Sequence, residues 1–174
     1  LVHMQVIRVG NAIHIGKNGY DNVYDHDAQG ILASAMELGA LTPEEAEGLL
    51  RNLPAQMVTH DYIDALGKLP WAHAKFCQKF SPSPTLVHDL VFVQPHAGYG
   101  GSRTVSGWVH YMVENKLQAD GLAVPANTLD SYSRSTVDNC AVVLGLKAYA
   151  YLCQKADNTD EYNWAENQYN TTIS

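Results

Sequence analysis

Cysteine is scarce in this chain. Three residues of 174 are cysteine, at positions 77, 140 and 153. So few, and an odd number, cannot build the disulfide framework of a small secreted fold, so free thiols in a reducing, cytoplasmic setting are expected. Long apolar runs are missing too. Although 46% of the residues are apolar, no stretch approaches the roughly 20 residues that cross a bilayer, and no membrane partner is expected. The first residues show no basic region followed by an apolar one, so no secretory leader is expected. His3-Met4 is the pair a common cloning site encodes, which makes residues 1–3 read as vector sequence and Met4 as the start. Positive charge is also short, with 11 Lys and Arg against 18 Asp and Glu. The resulting net charge of −7 makes the chain a poor direct ligand for nucleic-acid phosphates. It suits a basic protein surface better.

Several signatures are absent. There is no HExxH pair, no Cys-x-x-Cys pair, no Gly-Lys-Ser/Thr ending a glycine loop and no dinucleotide pattern. No metal and no cofactor is therefore expected. Charge is unevenly spread. Residues 1–64 hold 3 basic and 9 acidic side chains, residues 65–156 hold 8 and 5, and residues 157–174 hold none and 4.

What is present reads as a mixture of short strands and helices. Residues 5–9 and 12–15 are β-prone and flank Gly10-Asn11, a hairpin signal. A helix is expected from Asp25 or His26 to Leu38, with Ala28, Ile31, Leu32, Ala35 and Leu38 on one stripe and Gly39 as its stop. Thr42-Pro43-Glu44-Glu45 is a capping box with proline at the first helical position. A helix over residues 59–67 is followed by Pro70, read as a break that opens a second helix through Phe80. Residues 81–84, Ser-Pro-Ser-Pro, are the best internal boundary. Residues 86–94 (LVHDLVFVQ) are read as a strand. Val105, Trp108, Val109 and Met112 make an amphipathic stripe in a helix ending near Gly121. Ser135 caps a last helix, with Asp138 at its third position. From Val137 to Leu152 it is apolar on nearly every face and is expected to be buried, so that a charge at Leu144 should unfold the protein. Residues 157–174 read as an acidic tail, either flexible or docked as an arm.

The expected fold is therefore α+β: one mainly helical domain over residues 1–156, with a small antiparallel sheet and a buried C-terminal helix.

Four groups of residues invite a chemical reading. In the first, the strand 86–94 runs into a glycine-rich loop and then a helix start, a geometry that offers backbone N–H groups to an anion. The candidates there are His96, Gly98, Gly100, Gly101, Ser102 and Arg103. A plain connecting loop is the alternative. In the second, Asn139-Cys140 opens a helix, where a thiol gains thiolate character. With His14, His96 or His110 as base it would make a small hydrolase or transferase. An Asn-Cys pair opening a helix after the histidine resembles circularly permuted relatives of the papain and NlpC/P60 hydrolases. Cysteine in an apolar helix is otherwise core filler. The third is three His-Asp dipeptides, at 26–27, 60–61 and 88–89, with His73 and Asp64 as extra ligands. One such pair resembles the metal site of HD-type phosphohydrolases, although the flanking helices do not follow that family.

The fourth lies in residues 18–41. Asn18-Gly19-Tyr20, then Asp27-Ala28-Gln29-Gly30-Ile31 and the Leu38/Leu41 ending, resemble a segment of ArdB-type antirestriction proteins, small proteins of mobile elements. The resemblance implies an inhibitor that works by binding, with no catalytic residue. The expected function is accordingly an acidic binding or inhibitor protein that turns its acidic N-terminal third, residues 1–64, to a basic partner. The cysteine-dependent enzyme is the alternative.

Overall fold

The structure is a computed structural model that describes residues 4–9, 12–17, 25–52, 62–98, 101–125 and 135–174. It is mainly helical. Strands β1 (Met4–Val9) and β2 (Ala12–Lys17) pair antiparallel, with Val9 opposite Ala12. Helices α1 (Asp25–Glu37), α2 (Pro43–Asn52), α3 (Ile63–Phe80) and α4 (Pro84–His88) follow, and α4 runs into a π-helical turn over Asp89–Val93. Strands β3 (His96–Gly98) and β4 (Gly101–Arg103) form a second hairpin. Then come α5 (Val105–Lys116), α6 (Thr136–Lys155) and α7 (Thr159–Ile173). The four strands make two separate hairpins. Among the described residues the expected sheet layer beneath the helices does not form, and the helices pack on one another instead.

Local rules explain most helix ends. Gly39, at φ +70°, ends α1: its N–H donates to Met36 O, and the Ala40 N–H reaches back to Ala35 O. That double bond satisfies carbonyls the helix leaves open. At α2 the Thr42 N–H donates to Glu45 Oε2 at 2.9 Å, and the Glu45 N–H to Thr42 Oγ1 at 3.2 Å, closing the capping box. Ser135 Oγ accepts from the Val137 and Asp138 N–H groups and starts α6.

Further expectations need correction. Residues 86–94 are not a strand. Ser83 caps and Pro84 opens a helix there, and Val87, Leu90 and Val91 are buried at helical spacing. A short apolar run carries both periods, and the cap decides. Pro70 does not break the chain: α3 runs through it and loses only the bond to the Leu66 carbonyl. The buried stripe Ile63, Leu66, Leu69, Ala72, His73, Phe76 continues unbroken on both sides, so packing outweighs that loss. Helix α5 ends at Lys116, short of Gly121, in a turn closed by a Leu117–Ala123 bridge. Within residues 157–174, Thr159–Ile173 is helix α7, so the segment docks on α6 as a helix and not in extended form. Asn158 caps α7, which lies on α6 with Ala165 and Thr172 buried.

Helix α3 is the hub and touches α1, α2, α5 and α6. Its closest neighbour is α6, and the approach is between backbones. A Cβ on Gly67 would lie 2.1 Å from Ala141 O, and one on Gly145 would lie 2.8 Å from Gly67 Cα. Around this crossing sit Trp108, Tyr149, Phe76, Leu66, Leu69 and Met112, all buried. Buried side chains before and after residues 81–84 belong to one core. Helix α6 is buried along Ala141, Val142, Gly145, Leu146, Tyr149 and Leu152, but Val137 is 67% and Leu144 37% exposed. The expectation that a charge at Leu144 unfolds the protein is withdrawn, because that position faces solvent. No helix among the described residues is long and apolar enough to cross a membrane.

The crossing makes a clear test. Gly67→Ala should lower the free energy of unfolding by about 3 kcal/mol, because two helix backbones must separate. Gly48→Ala in α2, where a Cβ meets nothing within 4 Å, should stabilise by up to about 1 kcal/mol through helix propensity. Urea unfolding followed by circular dichroism decides. Equal midpoints for the two variants would mean that α3 and α6 are not in backbone contact.

Candidate functional site

The densest group of polar and aromatic side chains lies where α5, α6 and α7 meet. Ser106 and His110 are four residues apart on α5 and so share a face. Tyr149 comes from α6, and Glu161 and Trp164 from α7. Tyr149 Oη lies 2.6 Å from Glu161 Oε2 and 2.7 Å from Ser106 Oγ. A phenol has one hydrogen. The carboxylate, which only accepts, takes it, and the Ser106 hydroxyl donates to the phenol oxygen. His110 Nε2 lies 2.9 Å from the same Glu161 oxygen, so that nitrogen carries the hydrogen and donates. The imidazole stacks on Trp164 with ring centroids 3.8 Å apart and 19° between planes. The Tyr149 ring meets Trp164, His110 and Phe92 edge-on or tilted.

Burial holds the Tyr149 phenol well above its ordinary range, and the neighbouring Cys153 and Glu161 push it the same way. It is therefore a donor and not a phenolate. Burial also pushes the Cys153 thiol up to about 12, and the Cys77 thiol likewise to about 12. Neither thiol is a nucleophile. The cluster has the parts of an acid–base site but not their order. Ser106 bonds to Tyr149 rather than to His110, so no base withdraws its proton. What the arrangement does is tie the first turn of α7 to two other helices through one carboxylate.

The residues nominated for chemistry are dispersed. Cys140 is exposed, on the side of α6 that faces an open groove. It stands one turn beyond the N–H groups that favour an anion at a helix start. Val143, Leu144, Tyr169, Thr136, Thr172 and Cys140 are among the residues that line that groove. No imidazole is among its described lining residues, and His110 is engaged with Glu161. The structure therefore does not pair Cys140 with His110. The side chains of His14 and His96, on β2 and β3, lie outside the described residues. Asn139 serves the fold: its amide donates to Ser135 O and its Oδ1 accepts from the Ala123 N–H.

The glycine-loop anion site changes shape. Residues 86–94, the strand expected before it, are helical up to Val93, and β3 and β4 form a hairpin with Gly98 opposite Gly101 and His96 opposite Arg103. Gly100 lies outside the described residues. Ser102 is exposed on β4. Arg103 lies over the rings of Trp108 and Tyr111, 4.7 and 4.4 Å from their centroids, so its charge is directed along α5. Thr104 Oγ1 already takes the Gly107 N–H at the helix start.

The His-Asp pairs also separate. The His88 ring packs against Phe92, while Asp89 pairs with Arg51 at 2.8 Å. Asp64 pairs with Lys68, and His73 is buried with Nδ1 donating to Leu69 O. The pair at 60–61 and the side chains at 26–27 lie outside the described residues. Among the described residues no three His, Cys, Asp or Glu side chains group as a metal site.

Of the cluster, only His110 was marked by the sequence reading. A signal for Glu161 existed: Asn158-Thr159-Asp160-Glu161 is a cap followed three residues later by Glu, and Asn158 Oδ1 does accept from the Glu161 N–H. Comparison with protein-family models, with curated proteins and with solved structures finds no match.

Two outcomes follow from the buried polar groups. Glu161→Ala should cost about 2 kcal/mol of stability, because the Tyr149 hydroxyl loses its acceptor. Denaturation equal to wild type would mean that the cluster does not hold α7. Burial lowers the pKa of His73 from 6.5 to about 4. Between those values the unfolded chain takes up a proton that the folded chain refuses. The stabilisation from His73 is full above pH 6.5 and is lost as the pH falls towards 4. Urea midpoints measured across that window should fall less steeply in His73→Gln, and an unchanged slope would argue that the ring is solvated.

Proposed function

We propose that this protein acts by binding and not by catalysis, as an acidic inhibitor of a protein with a basic surface. The observation that carries the reading is how the chemistry-bearing residues are spent. The histidine–carboxylate cluster holds three helices together, and the accessible thiol, Cys140, has no imidazole among the described residues that line its groove. What the chain offers in their place is an excess of carboxylates over cations. Asp157 and Asp160 are exposed on and beside α7, and residues 157–174 carry no cation. With a net charge of −7, the field around the chain attracts basic partners and speeds their encounter.

Two further points support the reading. The three cysteines are free, as suits an inhibitor working in the reducing cytoplasm. The resemblance of residues 18–41 to ArdB-type antirestriction proteins suggests a host defence or nucleic-acid-binding protein as the target, met by occupying its basic surface. Nucleic acid itself is not the partner, since like charges repel.

Titration of polylysine and of polyglutamate against the protein tests the charge reading. Polylysine should bind, and its affinity should fall on the order of tenfold between 50 and 300 mM NaCl, as screened charge pairs weaken. Equal affinity for the two polymers, or binding indifferent to salt, would count against it.

A further inference from the structure

The groove between α6 and α7 differs in character from the rest of this acidic chain. Val143, Leu144 and the Tyr169 ring make it apolar, and Thr136 and Thr172 add neutral hydroxyls. Lys147 is the one charged side chain among its described lining residues, and no carboxylate is among them. The groove holds about 450 Å³, within the roughly 300–1,000 Å³ of small-molecule sites. From Thr136 to Lys147 it follows α6 for about 16 Å, at 1.5 Å per residue. Spread over that length, the volume leaves a trough roughly 28 Å² in section, which suits one extended alkyl chain and not a helix about 10 Å across. Size and lining together select a slender, mostly apolar molecule.

Lys147 selects the head of that molecule. Its ammonium lies 4.7 Å from the Tyr169 ring centroid, a contact that keeps the cation at the groove wall. Glu166 is 3.9 Å away, beyond hydrogen-bond reach, so it screens the ammonium without taking its donors. An anionic head gains charge-assisted hydrogen bonds there. A cationic head meets like charge, with no lining carboxylate to offset it. Because the Lys147 side chain is 61% exposed and has an acidic neighbour, the head contributes selectivity and the tail most of the affinity.

We propose that the α6–α7 groove binds a free single-chain anionic amphiphile, a medium-chain fatty carboxylate, with its carboxylate at Lys147 Nζ and its alkyl chain along Leu144, Val143 and Tyr169 towards Thr136. This site is separate from the surface that meets a basic partner, and neither depends on the other.

The full, unaltered chain carries its own reporter. Cys140 lines the groove and is exposed, whereas Cys77 and Cys153 are buried. The rate at which iodoacetamide alkylates Cys140, followed by mass spectrometry, therefore reads occupancy. Decanoate, kept below its micelle concentration, should slow alkylation at saturation by at least about fivefold, since such sites enclose most of a ligand's surface. Unfolding by the amphiphile would do the opposite, because it would expose the two buried thiols. Hexanoate, four methylenes shorter, should need at least about tenfold more for half-protection. Decyltrimethylammonium, with the same tail and a cationic head, should need at least about fivefold more. Lys147→Gln should weaken protection by decanoate at least about threefold, with melting and the ligand-free alkylation rate unchanged, because the side chain is largely exposed. Alkylation indifferent to decanoate overturns the proposal. Equal protection by hexanoate would remove the tail, and equal protection by the ammonium twin or an unaffected Lys147→Gln would remove the head contact; each overturns it. Anionic phospholipid vesicles that protect Cys140 where free decanoate does not would assign the groove to a membrane surface and overturn it as well. Alkylation that slows as the chain alone is concentrated would assign the groove to a second copy, with the same result.

Discussion

The contact between Gly67 and Gly145 is the constraint on which the rest of the molecule depends. With no Cβ on either residue, the backbones of α3 and α6 meet directly, and the Ala141 carbonyl fills the space a side chain on Gly67 would need. Such a crossing forgoes side-chain burial at its centre. It compensates by bringing the large residues on either side, Trp108 and Tyr149 among them, into one continuous core. Glycine inside a helix costs about 1 kcal/mol in propensity, so both positions are justified only by the packing they permit. The crossing also determines which side of α6 faces α3, and hence which sides remain for α7 and for solvent.

Helix α7 is joined on different terms. Few of its residues are fully buried, and its sequence is polar. Its anchorage comes from Glu161, which accepts from both Tyr149 and His110, and from Trp164 stacked on the imidazole. A buried phenol needs an acceptor, and a carboxylate supplies one of the stronger kinds. The same residues in another order would make an acid–base catalyst. Here the serine lies at the wrong end of the chain of bonds, and the network is structural. The acidic character of the last helix thus serves two ends, with Glu161 bonded inside the cluster and Asp160 exposed.

Much of the local structure was legible in the sequence. The capping box at Thr42, the Gly39 stop, the Ser135 cap and the Val105–Met112 stripe depend on neighbours within a few residues, and all appear as the residue pattern indicates. The differences have separate causes. Residues 86–94 were read as a strand because their β-branched and aromatic content outweighed a Ser83-Pro84 helix start. The Pro70 break assumed an isolated helix, where losing a hydrogen bond is decisive; within a core the stripe on either side holds α3 together. The tail was judged by its composition, whereas its cap at Asn158 and its Trp164 spacing were the better guide. The candidate site was less legible. Of the residues that cluster, His110 alone was marked, since Ser106, Tyr149 and Glu161 are far apart in the chain.

The sequence by itself determined the properties that depend on composition or on short range: a helical chain with little cysteine, no long apolar run, an excess of carboxylates and well-marked helix starts. Those follow from covalent geometry, capping bonds and charge, which act within a turn or over the whole surface without regard to the fold. Tertiary structure alone decided which faces of the apolar helices are covered. Val137 to Leu152 looks apolar all round in the sequence, yet Leu144 faces solvent and Leu146 the core. It likewise decided that Cys140 and His110 take different surroundings. The reason is the Gly67–Gly145 approach, a contact between residues 78 positions apart, whose geometry sets the rotation of α6 and with it the surface the molecule presents.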